Sequence, residues 1–474
     1  MKKIFLVLCL VLLMVSQVAA APSATTVWEF NSSGTAGMLN GCGFDTAYAA
    51  TRTDYSLQNQ AEIYTNNTDG AATGTTTFTN VLATFTQQME GNYIHITNGG
   101  TGLSTGWFEL LTYTDAHNVV LDRTPGTGTG ATYYVGGNCD LTGSLVDSFF
   151  EQIVGGNTVF IKAGTYGAMT SSISVAATSC SGTTPCNIFG YTTTRSGVGD
   201  TPTGTGRPLI DVSTLLWTAG QYQNLNNIRF TGSAATMLTT GIGTINKNLY
   251  AINTSGTADR TAVSVGVESA IINSELISTN GRGINIGIGD GSKVIGSYIH
   301  DSKDCVRIGK SNGLFAFNII DNCTNSGINF TGTASSGVAV NNTIYGLESS
   351  LVGTGILFDN STSIIFNTLY NNLIYGWATP IAQTTAQQKS NSGSYNNLYN
   401  NTNAVSNYTL DATDLALDPA WVSGPPTTSL DWRVGTNMKA VAFPGAFNGT
   451  NTTGYLDIGA VQRIEPTGGS VRRR

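Results

Sequence analysis

One pattern recurs along this sequence, in the segments Gly283-Ile284-Asn285-Ile286, Cys305-Val306-Arg307-Ile308, Gly327-Ile328-Asn329-Phe330 and Gly355-Ile356-Leu357-Phe358. In each copy, apolar side chains recur in alternation, which is the period of a short strand with one buried face. No stretch of helical periodicity lies between the copies. Because parallel strands without crossover helices must be joined by coiling, the sequence predicts an all-β chain built on a right-handed parallel β-helix.

A second pattern, an apolar residue followed by Asn or Gly, supports the same fold. Its copies are Leu225-Asn226, Ile252-Asn253, Ile272-Asn273, Ile295-Gly296, Phe317-Asn318, Val340-Asn341, Phe366-Asn367 and Tyr395-Asn396. Stacked coils lie about 4.8 Å apart. Asn side chains at the same turn of successive coils could therefore form a hydrogen-bonded ladder. A β-sandwich would instead show strands every 8–12 residues without a longer repeat.

The N-terminal residues predict export. Lys2 and Lys3 precede an apolar run, and Val18-Ala19-Ala20 supplies a site for cleavage, which is typical of a secretory signal peptide. The run is shorter than the roughly 20 residues of a membrane span, although a retained N-terminal anchor is the alternative. We predict a secreted, extracellular or periplasmic protein. Its segments are a signal peptide (1–20), a β-rich N-terminal head (21–138), the β-helix (139–410), a C-terminal cap (411–465) and a basic tail (466–474).

Composition narrows the choice of partner. Loss of Lys2 and Lys3 with the signal peptide changes the formal net charge from −7 to −9. A polyanionic backbone would be repelled, which argues against nucleic acid as a ligand. Only 11% of the chain is charged and 40% is hydrophobic, which excludes a charged disordered chain.

Six cysteines remain after Cys9 is removed with the signal peptide, and an even number in an exported protein favours disulfides. Cys180 and Cys186 bracket a short loop, and Cys305 and Cys323 are about one coil apart. Cys42 and Cys139 are left to pair in the N-terminal region. Six cysteines allow 15 connectivities, so these three pairs are predictions.

The segments Thr158–Tyr166 (TVFIKAGTY), Ser181–Tyr191 (SGTTPCNIFGY) and Arg207–Ile210 (RPLI) resemble the opening coils of the pectate-lyase-like β-helix superfamily. With the later repeats, the resemblance covers residues 160 to 400. The ending Asp457-Ile458-Gly459-Ala460 is similar to that of bacterial members. The resemblance implies the β-helix fold. It leaves the reaction open, because that superfamily contains lyases, hydrolases, esterases, adhesins and phage tail spikes.

Charge is concentrated in one segment. Between Glu275 and Asp321, 11 of 47 residues are titratable. Alignment of the repeats stacks Asp304 over Gly281 and Ser326, and Lys303 near Asn280 and Asn325. The candidate catalytic residues in this segment are His300, Asp301, Lys303, Asp304 and Arg307.

Two reactions fit these residues. In β-elimination, Asp290, Asp301 or Asp304 would bind Ca²⁺, which prefers carboxylate oxygens, and Arg307 or Lys303 would remove a proton next to a uronate carboxylate. In glycoside hydrolysis, two carboxylates such as Asp301 and Asp304 would act as acid and base.

The run Lys303-Asp304-Cys305-Val306 followed by Cys323 is similar to a polygalacturonase motif, DDCV…C. Lys303 replaces the first Asp of that motif, and Asn325-Ser326-Gly327 stands where the motif has GHG. The resemblance therefore implies only that Asp304 could be an acid. The alternative is that these charges are solvated turn residues in surface ion pairs.

Aromatic residues give a second indication of sugar binding. Tyr345 and Tyr375 occur in matching Ile-Tyr-Gly turns, and Trp377 follows. Such rings can stack on sugars, or they can be core residues at coil ends. We predict a polysaccharide lyase or glycoside hydrolase acting on polysaccharide or cell-surface glycan. The alternative is a non-catalytic, adhesin-like or tail-spike-like glycan-binding protein, and the sequence does not distinguish a monomer from a trimer.

Overall fold

The computed structural model describes residues 27–36, 68–85, 93–135, 139–140, 150, 153–175, 180–192, 206–287, 290–310, 312–331, 336–346, 351–359, 367–384, 392–421 and 459–460. The chain divides into two compact units. Unit 1 contains residues 1–167 and 178–208, and unit 2 contains residues 168–177 and 209–474. The predicted signal peptide, Cys42, the basic tail and most of the predicted cap lie outside the described residues.

The described residues fold mainly into strands. Those of unit 1 are β1 (Val27–Ala36), β2 (Gly70–Thr73), β3 (Thr77–Thr79), β4 (Tyr93–Asn98), β5 (Gly106–Asp115), β6 (Asn118–Leu121), β7 (Thr127–Val135), β8 (Cys139–Asp140), β9 (Thr158–Lys162), β10 (Thr165–Tyr166) and β12 (Cys186–Tyr191).

The strands of unit 2 are short and evenly repeated. They are β11 (Ile173–Ser174), β13 (Leu209–Ser213), β14 (Trp217–Thr218), β15 (Gln223–Asn226), β16 (Arg229–Gly232), β17 (Thr236–Thr239), β18 (Ile245–Lys247), β19 (Tyr250–Asn253), β20 (Thr261–Ser264), β21 (Ala270–Ile272), β22 (Glu275–Ser278), β23 (Arg282–Ile286), β24 (Lys293–Ile295), β25 (Tyr298–Ile308), β26 (Leu314–Ala316), β27 (Ile319–Thr331), β28 (Val338–Val340), β29 (Thr343–Tyr345), β30 (Thr354–Asp359), β31 (Thr368–Tyr370), β32 (Leu373–Tyr375), β33 (Thr379–Gln383), β34 (Ser392–Ser394) and β35 (Asn397–Tyr399).

Unit 1 contains a closed antiparallel barrel in the order β2-β3-β6-β5-β4-β7. Its core is apolar and includes Phe78, Phe108 and Tyr133, and the ring of Phe78 meets that of Tyr133 edge to face at 4.8 Å. The buried Asn80 amide donates to the Tyr133 hydroxyl, so the polar end of this core tyrosine is satisfied. Elsewhere in unit 1, β9 pairs in parallel with β1 and β12.

Unit 2 is a parallel β-helix, which confirms the predicted fold. One sheet runs in the order β15-β18-β21-β24-β26-β28-β31-β34, and the other contains the remaining strands of the unit in parallel register. The predicted strand repeat is also correct, because one aliphatic residue of each copy faces the interior in a single stack. That stack is Ile284, Val306, Ile328, Ile356 and Ile381.

A buried asparagine ladder runs along one turn of the β-helix. The Asn318 amide donates to the Asn342 Oδ1 at 3.1 Å, Asn342 to Asn372 at 2.9 Å, and Asn372 to Asn396 at 3.0 Å. At the end of the ladder, Asn396 donates to the Asp414 carboxylate at 3.1 Å. Each amide also binds backbone groups of neighbouring coils, so the ladder ties successive coils together.

The residue that precedes each ladder position has a left-handed backbone. The φ angles lie between 50° and 63° at Asn227, Asn248, Asn273, Gly296, Phe317, Asn341, Asn371 and Tyr395. Asn and Gly tolerate this conformation best, which explains their recurrence. Two predicted copies do not lie at this turn. Asn367 lies before the strand Thr368–Tyr370, where its Oδ1 accepts from the backbone amide of Gly337 at 2.9 Å. Ile252-Asn253 lies in the other sheet, where it pairs with Ile277-Ser278.

Candidate functional site

The charged segment lies at a corner where the second sheet changes direction. The strand Tyr298–Ile308 passes through this corner, and its first half pairs with Glu275–Ser278 while its second half pairs with Arg282–Ile286. Asp301 stands at the bend with a φ of 49°, and Asn322 occupies the same place in the next coil with a φ of 51°. Asp and Asn are among the few residues that adopt this conformation readily, so Asp301 has a structural role in the bend.

The register at the corner differs from the prediction by one residue. Asp304 pairs with Arg282 in the preceding coil, not with Gly281, whereas its predicted pairing with Ser326 is correct. The shift arises because the backbone amides of Lys303 and Asp304 both donate to the carbonyl of Gly281, at 3.0 and 3.1 Å. A Cβ at Gly281 would fall 1.9 Å from the carbonyl oxygen of Arg260, so the coils approach too closely there for any side chain.

Asp304 is a fixed, buried carboxylate with 7% of its surface exposed. Its Oδ1 accepts hydrogen bonds from the Asn325 amide at 2.6 Å and from the Ser326 hydroxyl at 2.5 Å. Both donors belong to the following coil. Hydrogen bonds to an ionised carboxylate are stronger than those between neutral groups, so Asp304 is firmly oriented.

Three cations lie on the same coil as Asp304 or on the coil before it. Arg282 is its register partner, and both the guanidinium of Arg282 and the amine of Lys303 contact one carboxylate oxygen of Asp259, at 3.0 and 3.7 Å. The Nε of Arg307 donates to Thr331 Oγ1 at 3.1 Å. We call Arg282, Lys303, Asp304 and Arg307 the corner cluster.

The positively charged residues of the corner cluster repel one another, and this repulsion acts on the pKa of Arg282. Burial lowers the pKa of Arg282, and the positive charge of Arg307 lowers it further, while Asp259 and Asp304 act in the opposite direction. Within the described residues, the terminal nitrogens of Arg307 have no side-chain partner. These nitrogens are therefore available to a ligand with a carboxylate, which a guanidinium can bind through two parallel hydrogen bonds.

The remaining predicted catalytic residues belong to a second group, the histidine network, made of Glu275, Tyr298, His300, Asp301 and Asp321. The two ring nitrogens of His300 face carboxylates, with Nδ1 2.8 Å from Asp301 and Nε2 3.2 Å from Glu275. Burial alone lowers the pKa of His300, but the hydrogen bonds and charges of both carboxylates outweigh it and raise the pKa. His300 therefore fits the role of a charged imidazolium better than that of a base.

Tyr298 completes this network. Its ring stacks on that of His300 with centroids 4.0 Å apart, and its hydroxyl donates to Asp321 at 3.0 Å. Burial raises the pKa of Tyr298 and also that of Asp321. The network spans three successive coils, and its contacts are internal, which is typical of a brace between coils.

The structure does not assemble the predicted calcium ligands. Asp301 binds His300 and Asn322, and Asp304 binds Asn325 and Ser326. Asp290 lies outside this corner, where its backbone carbonyl accepts from Glu268. Among the described residues, no group of three His, Cys, Asp or Glu side chains could hold a metal ion. These three carboxylates do not fit a shared Ca²⁺ site, and calcium dependence stays a prediction.

The predicted sugar-binding aromatics are buried. Trp377 is completely inaccessible, and its indole nitrogen donates to the Ile344 carbonyl at 3.1 Å. The rings of Tyr345 and Tyr375 stack with centroids 5.2 Å apart, and Trp421 packs edge-on against both. A sugar cannot reach these three predicted residues, so the prediction is corrected: they are packing residues.

The predicted cysteine pairs are confirmed where the structure describes both partners. Cys180 bonds to Cys186, and Cys305 bonds to Cys323, with Cα atoms 5.5 and 5.7 Å apart. Cys305 follows Asp304 directly, so this second disulfide anchors the corner cluster to the next coil. Cys139 lies in a short strand, and its pairing with Cys42 falls outside the described residues.

Sequence reasoning missed several residues of the site. Asp259, Asn325 and Ser326 were not candidates, and Arg282 was noticed only as part of the charged segment. The one-residue shift at Gly281 determines which of these side chains meet. The position of Asn325-Ser326 one coil after Asp304 could have identified both residues as partners of that carboxylate.

Comparisons with known proteins agree with the fold. No family model matches the sequence. No curated protein matches it either. Among solved structures, the pectate lyase Pel9A is similar with a TM-score of 0.50 and 14% identity, over 67% of this chain and 90% of that one.

Two further structures share less of the architecture. The PL6 family alginate lyase AlyGC has a TM-score of 0.31 and 11% identity, over 58% of this chain and 52% of that one. The catalytic domain of a GH87 α-1,3-glucanase has a TM-score of 0.30 and 12% identity, over 74% of this chain and 86% of that one. At these identities, the likeness to Pel9A shows that the chain has a pectate-lyase-like parallel β-helix fold.

Proposed function

We propose that this pectate-lyase-like β-helix is an exported protein that holds an acidic polysaccharide on the corner cluster and cleaves it by β-elimination. The observation that carries the proposal is the cluster itself. Within two successive coils, Arg282, Lys303, Arg307 and the buried Asp304 share one corner, in a chain of which only 11% is charged. Such a concentration of charge on one outer face suits a ligand that is itself charged.

The neighbours of Arg307 add hydrogen-bonding capacity for sugar hydroxyls. Asn285 and Asn329 flank Arg307 in register, one in the coil before and one in the coil after. The Oδ1 atom of each is buried and has no hydrogen-bond partner among the residues that the structure describes. An unpaired buried acceptor is costly, so a rotation of either side chain that exposes its Oδ1 to a hydroxyl donor from a ligand or water would be stabilising. A uronate offers both the carboxylate for Arg307 and hydroxyls for these amides.

The proposed reaction needs one base and neutralisation of one negative charge. Arg307 and Arg282 would pair with the uronate carboxylate and so acidify the proton on the carbon that bears it. Lys303, a cation beside Asp259 in the free protein, would first lose a proton to water and then take the proton from that carbon; the electron pair would form a carbon–carbon double bond, and the bond to the leaving sugar oxygen would break. Water would protonate the leaving oxygen. Asp304 would offset part of the positive charge of the cluster and would not contact the reacting atoms.

Export is part of the proposal. The two disulfides of the described residues support an oxidising compartment, because structural disulfides are rare in the cytosol. The described part of the chain contains no helix that is long and apolar enough to cross a membrane. The predicted signal peptide is tested by sequencing the N-terminus of the exported protein, and we expect cleavage after residue 20.

The experiment incubates the mature protein with a panel of uronate-containing and neutral polysaccharides, with Ca²⁺ or with chelator. Unsaturated products and reducing ends are measured separately. We expect unsaturated products from an acidic polysaccharide, at least a hundredfold less with Lys303→Gln, and weaker substrate binding with Arg307→Gln. Lys293→Gln is the matched control, because Lys293 is exposed and lies in the other sheet.

The alternative is a non-catalytic glycan-binding protein. It is favoured by one observation, which is that Asp301 and Asp304 are each already bound by neighbouring side chains. Binding without unsaturated products or new reducing ends would support this alternative. Reducing ends without unsaturated products would instead indicate hydrolysis, with Asp304→Asn as the first variant to measure. Neither binding nor cleavage across the panel would refute the proposed function.

A further inference from the structure

Asp259 occupies the position that a ligand carboxylate would take at the corner cluster. One of its carboxylate oxygens lies 3.0 Å from an Arg282 terminal nitrogen and 3.7 Å from the Lys303 amine. Its backbone carbonyl accepts from the other terminal nitrogen of Arg282 at 3.0 Å. Two cations from successive coils therefore converge on a single carboxylate that the protein itself supplies.

The side chain of Asp259 can leave the two cations while its backbone keeps its hydrogen bonds to Asn280 and Arg282, at 3.3 and 3.0 Å. Asp259 lies between the strands Tyr250–Asn253 and Thr261–Ser264, in an exposed turn, and its side chain is 59% exposed. Gly256 in the same turn has no neighbouring atom within 4 Å of where a Cβ would stand. By contrast, Asp304 is buried and bound by the next coil, so it stays in place when a ligand enters.

From this geometry we propose that Asp259 is an internal competitor, which a ligand carboxylate or other anion must displace from Arg282 and Lys303. This inference deepens the proposed function, because it assigns a specificity-determining residue to the same site. A weakly charged ligand cannot displace Asp259, whereas a ligand with several anionic groups can. The corner cluster would therefore select polymers of high charge density.

The charges at the corner cluster predict how neutralising Asp259 changes the affinity for anions. Arg282, Lys303 and Arg307 provide three positive charges, and Asp304 and Asp259 provide two negative ones. Neutralising Asp259 leaves the same cations with one carboxylate fewer, so anions should bind more tightly. An exposed ion pair contributes at most about 1 kcal/mol, which corresponds to a roughly two- to fivefold gain in affinity.

The test uses Asp259→Asn in the full mature chain, with inorganic sulfate as the probe at constant ionic strength. Asn keeps the volume and tolerates the left-handed backbone at this residue, where φ is 66°. Binding is read from the rise of the unfolding temperature with sulfate concentration, because a ligand of the folded state stabilises it. The matched control is Asp359→Asn, an exposed carboxylate at the end of another strand of the unit.

We expect Asp259→Asn to bind sulfate two- to fivefold more tightly than the wild type, and Asp359→Asn to leave the affinity unchanged. Adding Lys303→Gln to Asp259→Asn should remove the gain. Equal or weaker sulfate binding by Asp259→Asn, or an equal gain in the control, would overturn the inference. A gain in sulfate affinity without any polysaccharide binding would refute the proposed function alone, whereas polysaccharide cleavage without that gain would refute this inference alone.

Discussion

Replacement of Asn342 by Leu tests whether the asparagine ladder holds the coils together. The Asn342 Oδ1 accepts from both the backbone and the side-chain amide of Asn318, at 3.0 and 3.1 Å. Its own amide donates to the Phe315 carbonyl at 3.1 Å and to the Asn372 Oδ1 at 2.9 Å. Leu has a similar size, so the substitution removes four hydrogen bonds and leaves the packing nearly unchanged.

The expected cost follows from which groups lose their partners. The Asn318 side chain keeps its bond to the Val294 carbonyl, and the Asn372 Oδ1 keeps the backbone amide of Asn342. The backbone amide of Asn318 is left buried without an acceptor, which costs about 1–3 kcal/mol. With the smaller net loss from the other bonds, we expect Asn342→Leu to lower the free energy of unfolding by about 3 kcal/mol.

Urea unfolding followed by circular dichroism measures this cost, and hydrogen exchange of peptides from 312–346 locates it. Asn403→Leu is the matched control, because Asn403 is exposed and its side chain has no partner within the described residues. That control should change stability by no more than about 0.5 kcal/mol. If Asn342→Leu costs no more than Asn403→Leu, the ladder does not stabilise the coils and the reasoning is wrong.

Three further predictions concern the corner. The folded-state pKa of His300 is raised, so its stabilising contribution is complete below the unfolded pKa of about 6.5 and is lost as the pH rises through the folded value. His300→Gln should therefore lower the free energy of unfolding, measured with urea, more at pH 5.5 than at pH 9. An equal loss at both pH values would contradict a charged imidazole. Gly281→Ala should lower the free energy of unfolding by about 2 kcal/mol, because the added Cβ would meet a backbone carbonyl. Gly256→Ala, where the added Cβ would have no atom within 4 Å, should be nearly neutral in the same measurement. Replacing both Cys305 and Cys323 by Ala should lower the free energy of unfolding by about 3 kcal/mol, the value for a disulfide that closes a loop of similar length. Reduction of the wild type should reproduce that loss. A reduced protein of unchanged stability would show that the disulfide between the two coils is redundant.

Much of the fold was predictable because its local rules are simple. The stack Ile284–Val306–Ile328 follows from alternation, since a strand with one buried face must place an apolar residue inward at every second position. The Asn turns were less certain, because an apolar residue followed by Asn occurs in both sheets. Asn253 looks like a ladder residue in sequence, yet its amide binds the backbone carbonyls of Ala234 and Thr261 in the other sheet.

The site was harder to predict than the fold. The charged segment itself was found, because charge is rare in this chain. Which side chains meet depends on the backbone at Gly281, where two successive amides share one carbonyl and shift the register by one residue. The burial of Tyr345 and Tyr375 was equally hard to predict, because an aromatic residue at a coil turn can face either solvent or a covering segment. Only the folded structure shows that Trp421 packs against both rings.

The disulfide between Cys305 and Cys323 has a consequence for biosynthesis. Its two cysteines are only 18 residues apart in the chain, so the bond can close as soon as two neighbouring coils have formed in an oxidising compartment. In a reducing cytoplasm the same coils would remain unlinked. A chain that forms its coils in order from the N-terminus would thus link its charged corner before residues beyond 400 take their places.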